Sequence, residues 1–180
     1  MINRTVTIAG TAVLAALVVV FDYSMKYSGL KIIFPWLPFL KFDFTGVPIL
    51  LSFYILGFYS SLFSSAVALF AILARSGDVI GASMKALAEF STVAGVAFSM
   101  KLVPKFKRHM PILFGVLFRC TIMFFATLLI LPLFTQTSFM AILLQSHLYA
   151  AFNAIQGFIS IFGGMLLQEA VRKKIPAFNK

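Results

Sequence analysis

Six apolar runs dominate this 180-residue chain: Val6–Phe21, Val47–Phe58, Ser61–Ala74, Ser83–Met100, Pro111–Phe134 and His147–Gln168. With 61% hydrophobic residues and only 11% charged ones, too little polar surface remains to cover a soluble core. Apolar runs of this length predict transmembrane helices. The fold class expected is all-α, a single transmembrane domain over residues 1–180, multi-pass in the cell membrane. The first run follows the lone Arg4 without a clear cleavage site and is expected to stay in the protein.

The second and third runs test the count. Val47 to Ala74 is 28 residues, about 42 Å of helix at about 1.5 Å per residue, short of two full spans of about 30 Å. A single tilted span there would give five helices and place the termini on opposite sides. Charge placement favours six, because Arg4, Lys101, Lys105, Lys107, Arg108, Arg172, Lys173, Lys174 and Lys180 then share the inner side. Lys26, Lys31, Lys41, Arg75 and Lys85 fall outside, and cytoplasmic loops carry the excess of cations. Both termini are therefore expected in the cytoplasm, with a break at Gly57-Phe58-Tyr59-Ser60-Ser61.

The connection between the first two spans is longer than joining two helices requires, and such loops are usually functional. It contains Phe34-Pro35-Trp36-Leu37-Pro38-Phe39-Leu40-Lys41-Phe42-Asp43-Phe44. Stacking surfaces, a cation and an anion, held by prolines, read as a lid over a small-molecule site.

Polar residues inside the spans supply the rest of that site. Glu89 is about seven residues into the fourth span from its outer end, with Lys85 one turn above on the same face. Thr127 on the fifth span and Asn153 and Gln156 on the sixth stand at similar depth. A few placed polar groups within apolar walls suit a polar, planar solute. The plainer alternatives are an intrahelical Lys85–Glu89 pair and Asn153 with Gln156 as interhelical glue. Arg119, nearer the inner end of the fifth span, is expected to pair with Glu169 or to snorkel.

Other functions find less support. His109 and His147 fall on opposite sides of the membrane, outside any H-E-x-x-H pattern, and Cys120 has no evident base, so neither metal site nor catalysis is expected. The lone cysteine says nothing about redox compartment. The net charge of +10 follows the span boundaries rather than a separate basic domain, which argues against nucleic-acid binding. No paired pseudo-repeats suggest a transporter acting alone. A membrane assembly protein would account for the small residues Ala12 and Ala16 on the first span, but not for the lid.

Four segments resemble the substrate-binding S-component of an energy-coupling factor (ECF) vitamin transporter, riboflavin type. They are Pro38-Phe39-Leu40-Lys41-Phe42-Asp43-Phe44 with Val47-Pro48-Ile49-Leu50, Leu87-Ala88-Glu89-Phe90, Leu131-Pro132-Leu133-Phe134, and Phe152-Asn153-Ala154-Ile155-Gln156-Gly157, in the family's order. The resemblance implies a six-helix protein that binds a vitamin near its outer face and is not an enzyme. Its partners would be a transmembrane coupling subunit, docked through Ala12 and Ala16, and two ATP-binding subunits. No cofactor is implied, and riboflavin would be the transported ligand. The ligand contacts expected are Phe39, Leu40, Lys41, Phe42, Asp43, Lys85, Glu89, Thr127, Asn153 and Gln156. Glu89 stands where the family commonly has asparagine, Gln156 where it has lysine, and Thr127 near an expected asparagine. Such a site can hold the flavin or select another vitamin, such as a cationic one, or another small metabolite.

Overall fold

The structure is a computed structural model that describes residues 4–102 and 109–174. Lys105, Lys107, Arg108 and Lys180, counted above among the inner cations, lie outside the described residues. The elements are α1 (Arg4–Tyr27), β1 (Ile32–Ile33), β2 (Lys41–Phe42), α2 (Gly46–Leu56), α3 (Phe58–Ser76), α4 (Val79–Leu102), α5 (His109–Thr135), α6 (Phe139–Leu144) and α7 (Ser146–Lys174). Among the described residues five helices, α1, α3, α4, α5 and α7, are long and apolar enough to cross a membrane. The fold is therefore that of a mostly helical, multi-pass protein. At 11 residues α2 is only about 16 Å long, about half of a hydrocarbon core.

The break between the second and third apolar runs falls at Gly57, whose φ of 101° suits glycine and few other residues. Its N–H closes α2 by donating to Ser52 and Phe53 carbonyls. The helices outrun their apolar stretches at several ends. α1 continues past Phe21 to Tyr27, and α7 past Gln168 through Glu169 to Lys174, since a helix once started propagates through polar residues at little cost.

Neighbouring helices close a ring in the order α1, α3, α4, α5, α7, α2, with α2 also packed on α3. Val18, Ile49, Leu50, Ala68, Val93, Val96 and Ile161 form its fully buried centre. Small residues permit the closest crossings. A Cβ on Gly95 would come within 2.9 Å of the Gly115 Cα, so α4 and α5 touch backbone to backbone. A Cβ on Gly164 of α7 would meet Leu50 of α2 at 2.7 Å.

The connection between α1 and α2 is not the irregular loop an all-α reading expects. It holds a two-stranded antiparallel hairpin pairing Ile32 with Phe42 and Ile33 with Lys41. The tip folds back through Phe34 N–H to Leu40 O (3.0 Å) and Leu40 N–H to Leu37 O (2.9 Å). Phe34 and Leu37 pack with Ile142 of α6 and Tyr149 of α7 into a second small core. The hairpin is thus a folded cap, seated by its own apolar contacts on the α5–α7 end of the bundle.

Candidate functional site

Beneath this cap lies a cavity of about 960 Å³, near the top of the range of about 300–1,000 Å³ usual for small-molecule sites. Eight of the ten residues expected to contact a ligand line it: Phe39, Leu40, Lys41, Asp43, Lys85, Thr127, Asn153 and Gln156. Phe42 and Glu89 do not. Phe42 is turned into the cap, where it stacks on Phe152 with ring centroids 4.8 Å apart. Glu89 is fully buried under the cavity floor. A second, apolar hollow of about 450 Å³, between α1 and the hairpin, offers no charged group and is the poorer candidate.

The structure sets aside the plainer Lys85–Glu89 pairing and corrects the expectation for Arg119. Glu89 does not pair with Lys85 one turn away, and Arg119 is buried rather than paired with Glu169 or extended to the bundle exterior. Arg119 instead crosses the bundle, donating from Nη1 to Glu89 Oε1 and Thr92 Oγ1, both at 3.1 Å. Its Nε donates to Asn153 Oδ1 at 3.2 Å, and Asn153 Nδ2 donates to Tyr149 O at 2.9 Å. These groups tie α4, α5 and α7 together beneath the cavity, which Arg119 also lines. A charge pair at this depth persists because each member has its partner.

The other oxygen of Glu89, Oε2, and the Ser160 hydroxyl are buried without a hydrogen-bond partner among the described residues. Both lie against Gly46 at the start of α2, where any Cβ would collide with them. A helix N-terminus carries partial positive charge, which favours a carboxylate there. Only glycine lets the helix end approach so closely.

Asp43 is the hinge between cap and bundle. Its Oδ1 accepts from the Thr45 N–H (3.1 Å) and hydroxyl (2.8 Å), an Asx turn that starts α2. Both its carboxylate oxygens also accept from Lys85 Nζ of α4, and Lys31 stands 3.5 Å from Oδ2. Gln156 of α7 grips the backbone of the same residue. The Asp43 N–H donates to Gln156 Oε1 at 3.2 Å, and Gln156 Nε2 donates to Asp43 O at 2.8 Å. The amide expected to meet a ligand thus holds the cap in place.

Burial alone would raise the Asp43 carboxyl, but the charges of Lys85 and Lys31 and hydrogen bonds from Lys85 and Thr45 outweigh it. The pKa falls to about 2. A carboxyl lowered on folding stabilises the folded form above its unfolded pKa of about 3.9 and ceases to do so as pH falls through the folded value. The cap should therefore stay clasped from neutral pH to about 4 and release as pH approaches about 2. Emission of Trp36, which packs edge-on against Phe34, reports the release, and the Asp43→Asn variant should lack this acid transition.

Three further charges escaped the sequence reading as site residues. Asp22, one residue beyond the first apolar run, is fully buried. It accepts from Lys31 Nζ at 2.6 Å and Arg75 Nε at 2.8 Å. A chain of alternating charge, Arg75–Asp22–Lys31–Asp43–Lys85, thus joins α3, α1, the hairpin and α4. Lys26, Lys31, Lys41, Arg75 and Lys85, assigned to one side of the membrane by charge counting, all line this one cavity.

Neither any protein-family model nor any curated protein matches the sequence. Among solved structures, the S component of a bacterial ECF transporter matches with a TM-score of 0.77, over 96% of this chain and 99% of that one. This chain has the S-component fold. The two sequences are 19% identical, so the likeness is one of architecture. The S-component fold here holds its hairpin cap, the short α2 and the cavity between them in a single unit. Ala12 and Ala16 are exposed on the outer face of α1, beside the exposed Val13 and Val20.

Proposed function

We propose that this protein is the membrane-embedded substrate-binding subunit of an ECF-type vitamin importer, with riboflavin as its ligand. The observation that carries this is the large cavity beneath a folded hairpin cap, within an S-component fold. Catalysis has no part in the mechanism. The apolar ring system lies against Leu40, Phe39, Tyr149 and Phe152, and Asn153, Thr127 and Lys41 face its polar edges. Six crossings, with α2 as the short one, place the cavity outside and both termini in the cytoplasm. This orientation puts Arg4, Lys101, Arg172, Lys173 and Lys174 on the inner side.

Release inward needs energy from partners: a transmembrane coupling subunit and two ATP-binding subunits. The exposed small residues Ala12 and Ala16 allow another helix to approach α1 closely. Ala12→Trp or Ala16→Trp is expected to leave riboflavin affinity unchanged and to abolish uptake. Uptake of labelled riboflavin by cells expressing this chain with an ECF module tests both points. Uptake independent of the chain would remove it from the transporter, and normal uptake by the tryptophan variants would move the docking face elsewhere.

A further inference from the structure

Arg75 is only partly used by the protein. Its Nε donates to the buried Asp22, while its two terminal nitrogens make no hydrogen bond to a described residue. The side chain is 8% exposed and lines the cavity. A guanidinium has five N–H donors in a fixed fork, so four remain for whatever occupies the cavity. Lys31 and Lys85 line the same cavity. Their counter-ions stand behind or beside them: Asp22 does not line the cavity, and the oxygens of Asp43 are engaged by Lys85, Lys31 and Thr45. Three cations against two carboxylates leave this cluster at +1 (3 − 2).

Lys26 and Lys41 also line the cavity, and neither is in an ion pair among the described residues. The remaining anion on the lining, Asp78, accepts from the Gly81 N–H at 2.8 Å. A neutral ligand would leave this wall of donors without a matching charge. Partly desolvated cations backed by fixed carboxylates favour an anion, and an arginine fork fits phosphate or carboxylate oxygens best.

Resting on the capture reading above, we infer that the cavity also accepts solutes bearing an anionic group of phosphate or carboxylate type, held by Arg75 with Lys31 and Lys85. Among flavins the 5′-phosphate is then bound in preference to the neutral vitamin, which occupies the same cavity without that contact. The test is titration of the detergent-purified full chain with riboflavin and with riboflavin 5′-phosphate, together with thermal unfolding in inorganic phosphate or citrate against chloride at matched ionic strength. The 5′-phosphate should bind at least about tenfold more tightly. Phosphate or citrate should raise the unfolding temperature of the wild type more than that of Arg75→Gln. Because Arg75→Gln leaves Asp22 with one partner fewer, the double variant Lys26→Gln/Lys41→Gln, which disturbs no ion pair among the described residues, should also reduce the 5′-phosphate advantage.

Equal or tighter binding of riboflavin overturns the anion assignment and leaves the flavin reading intact. If neither flavin binds but inorganic phosphate or citrate stabilises the wild type selectively, the flavin reading fails and the anion site stands. No selective stabilisation and no 5′-phosphate advantage overturn the proposal. Stabilisation by phosphatidylglycerol in mixed micelles, without any by phosphate or citrate, would assign the anion to a lipid headgroup and overturn the soluble ligand.

Discussion

Arg119→Met is expected to destabilise the protein by about 3–5 kcal/mol, the usual cost of removing one member of a buried ion pair. Glu89 would be left without its partner and with no exposure to solvent, and Thr92 and Asn153 would each lose a donor. The physical cost lies in the orphaned carboxylate more than in the lost attraction. Arg119→Met combined with Glu89→Leu should therefore recover most of the loss, since an apolar pair of similar volume is often as stable as a buried ion pair. Thermal unfolding in detergent, with the fraction of monodisperse protein, measures both variants. A single variant as stable as the wild type would contradict the structural role of the pair. A double variant no better than the single would show that packing, not charge, was lost.

Gln156→Ala acts on function rather than on the frame. It removes both hydrogen bonds that fix the Asp43 backbone to α7 and leaves a buried N–H and C=O without partners. Unsatisfied buried groups cost about 1–3 kcal/mol each, so the seated position of the cap should lose about 2–6 kcal/mol. Riboflavin affinity should then fall about 30-fold or more, mostly through faster dissociation, while the bundle stays folded. Stopped-flow release of the flavin measures this directly. Affinity within about twofold of the wild type would mean that the Lys85–Asp43 clasp alone holds the cap.

The parts of this architecture legible in the sequence are those with local causes. Long apolar runs yield long helices, and Gly57 breaks α2 from α3 because of its own φ. The length and aromatic content of the α1–α2 connection marked a cap, and polar residues at matched depth on α5 and α7 line the cavity beneath it. Charge pairing was not legible. Lys85 and Glu89 are one helical turn apart, yet each pairs with a residue at least 30 positions away in sequence. Nothing periodic encodes such contacts; they depend on how α4 faces the cap and α5. Asp22 was passed over because the apolar run stops at Phe21 while the helix continues to Tyr27. Gln156, expected to meet a ligand, lines the cavity, but its bonds to the Asp43 backbone were not legible, since only the folded hairpin brings that backbone to it. The hairpin strands, two residues each, are too short to show alternation.

The most direct measurement is a titration of riboflavin with the purified, full-length protein, following flavin fluorescence, with Trp36 emission as an independent signal from the cap. Saturable quenching at one flavin per chain, accompanied by a change in Trp36 emission, is the expected result. Flavin fluorescence that stays unchanged through a large excess of protein would contradict capture of riboflavin in this cavity.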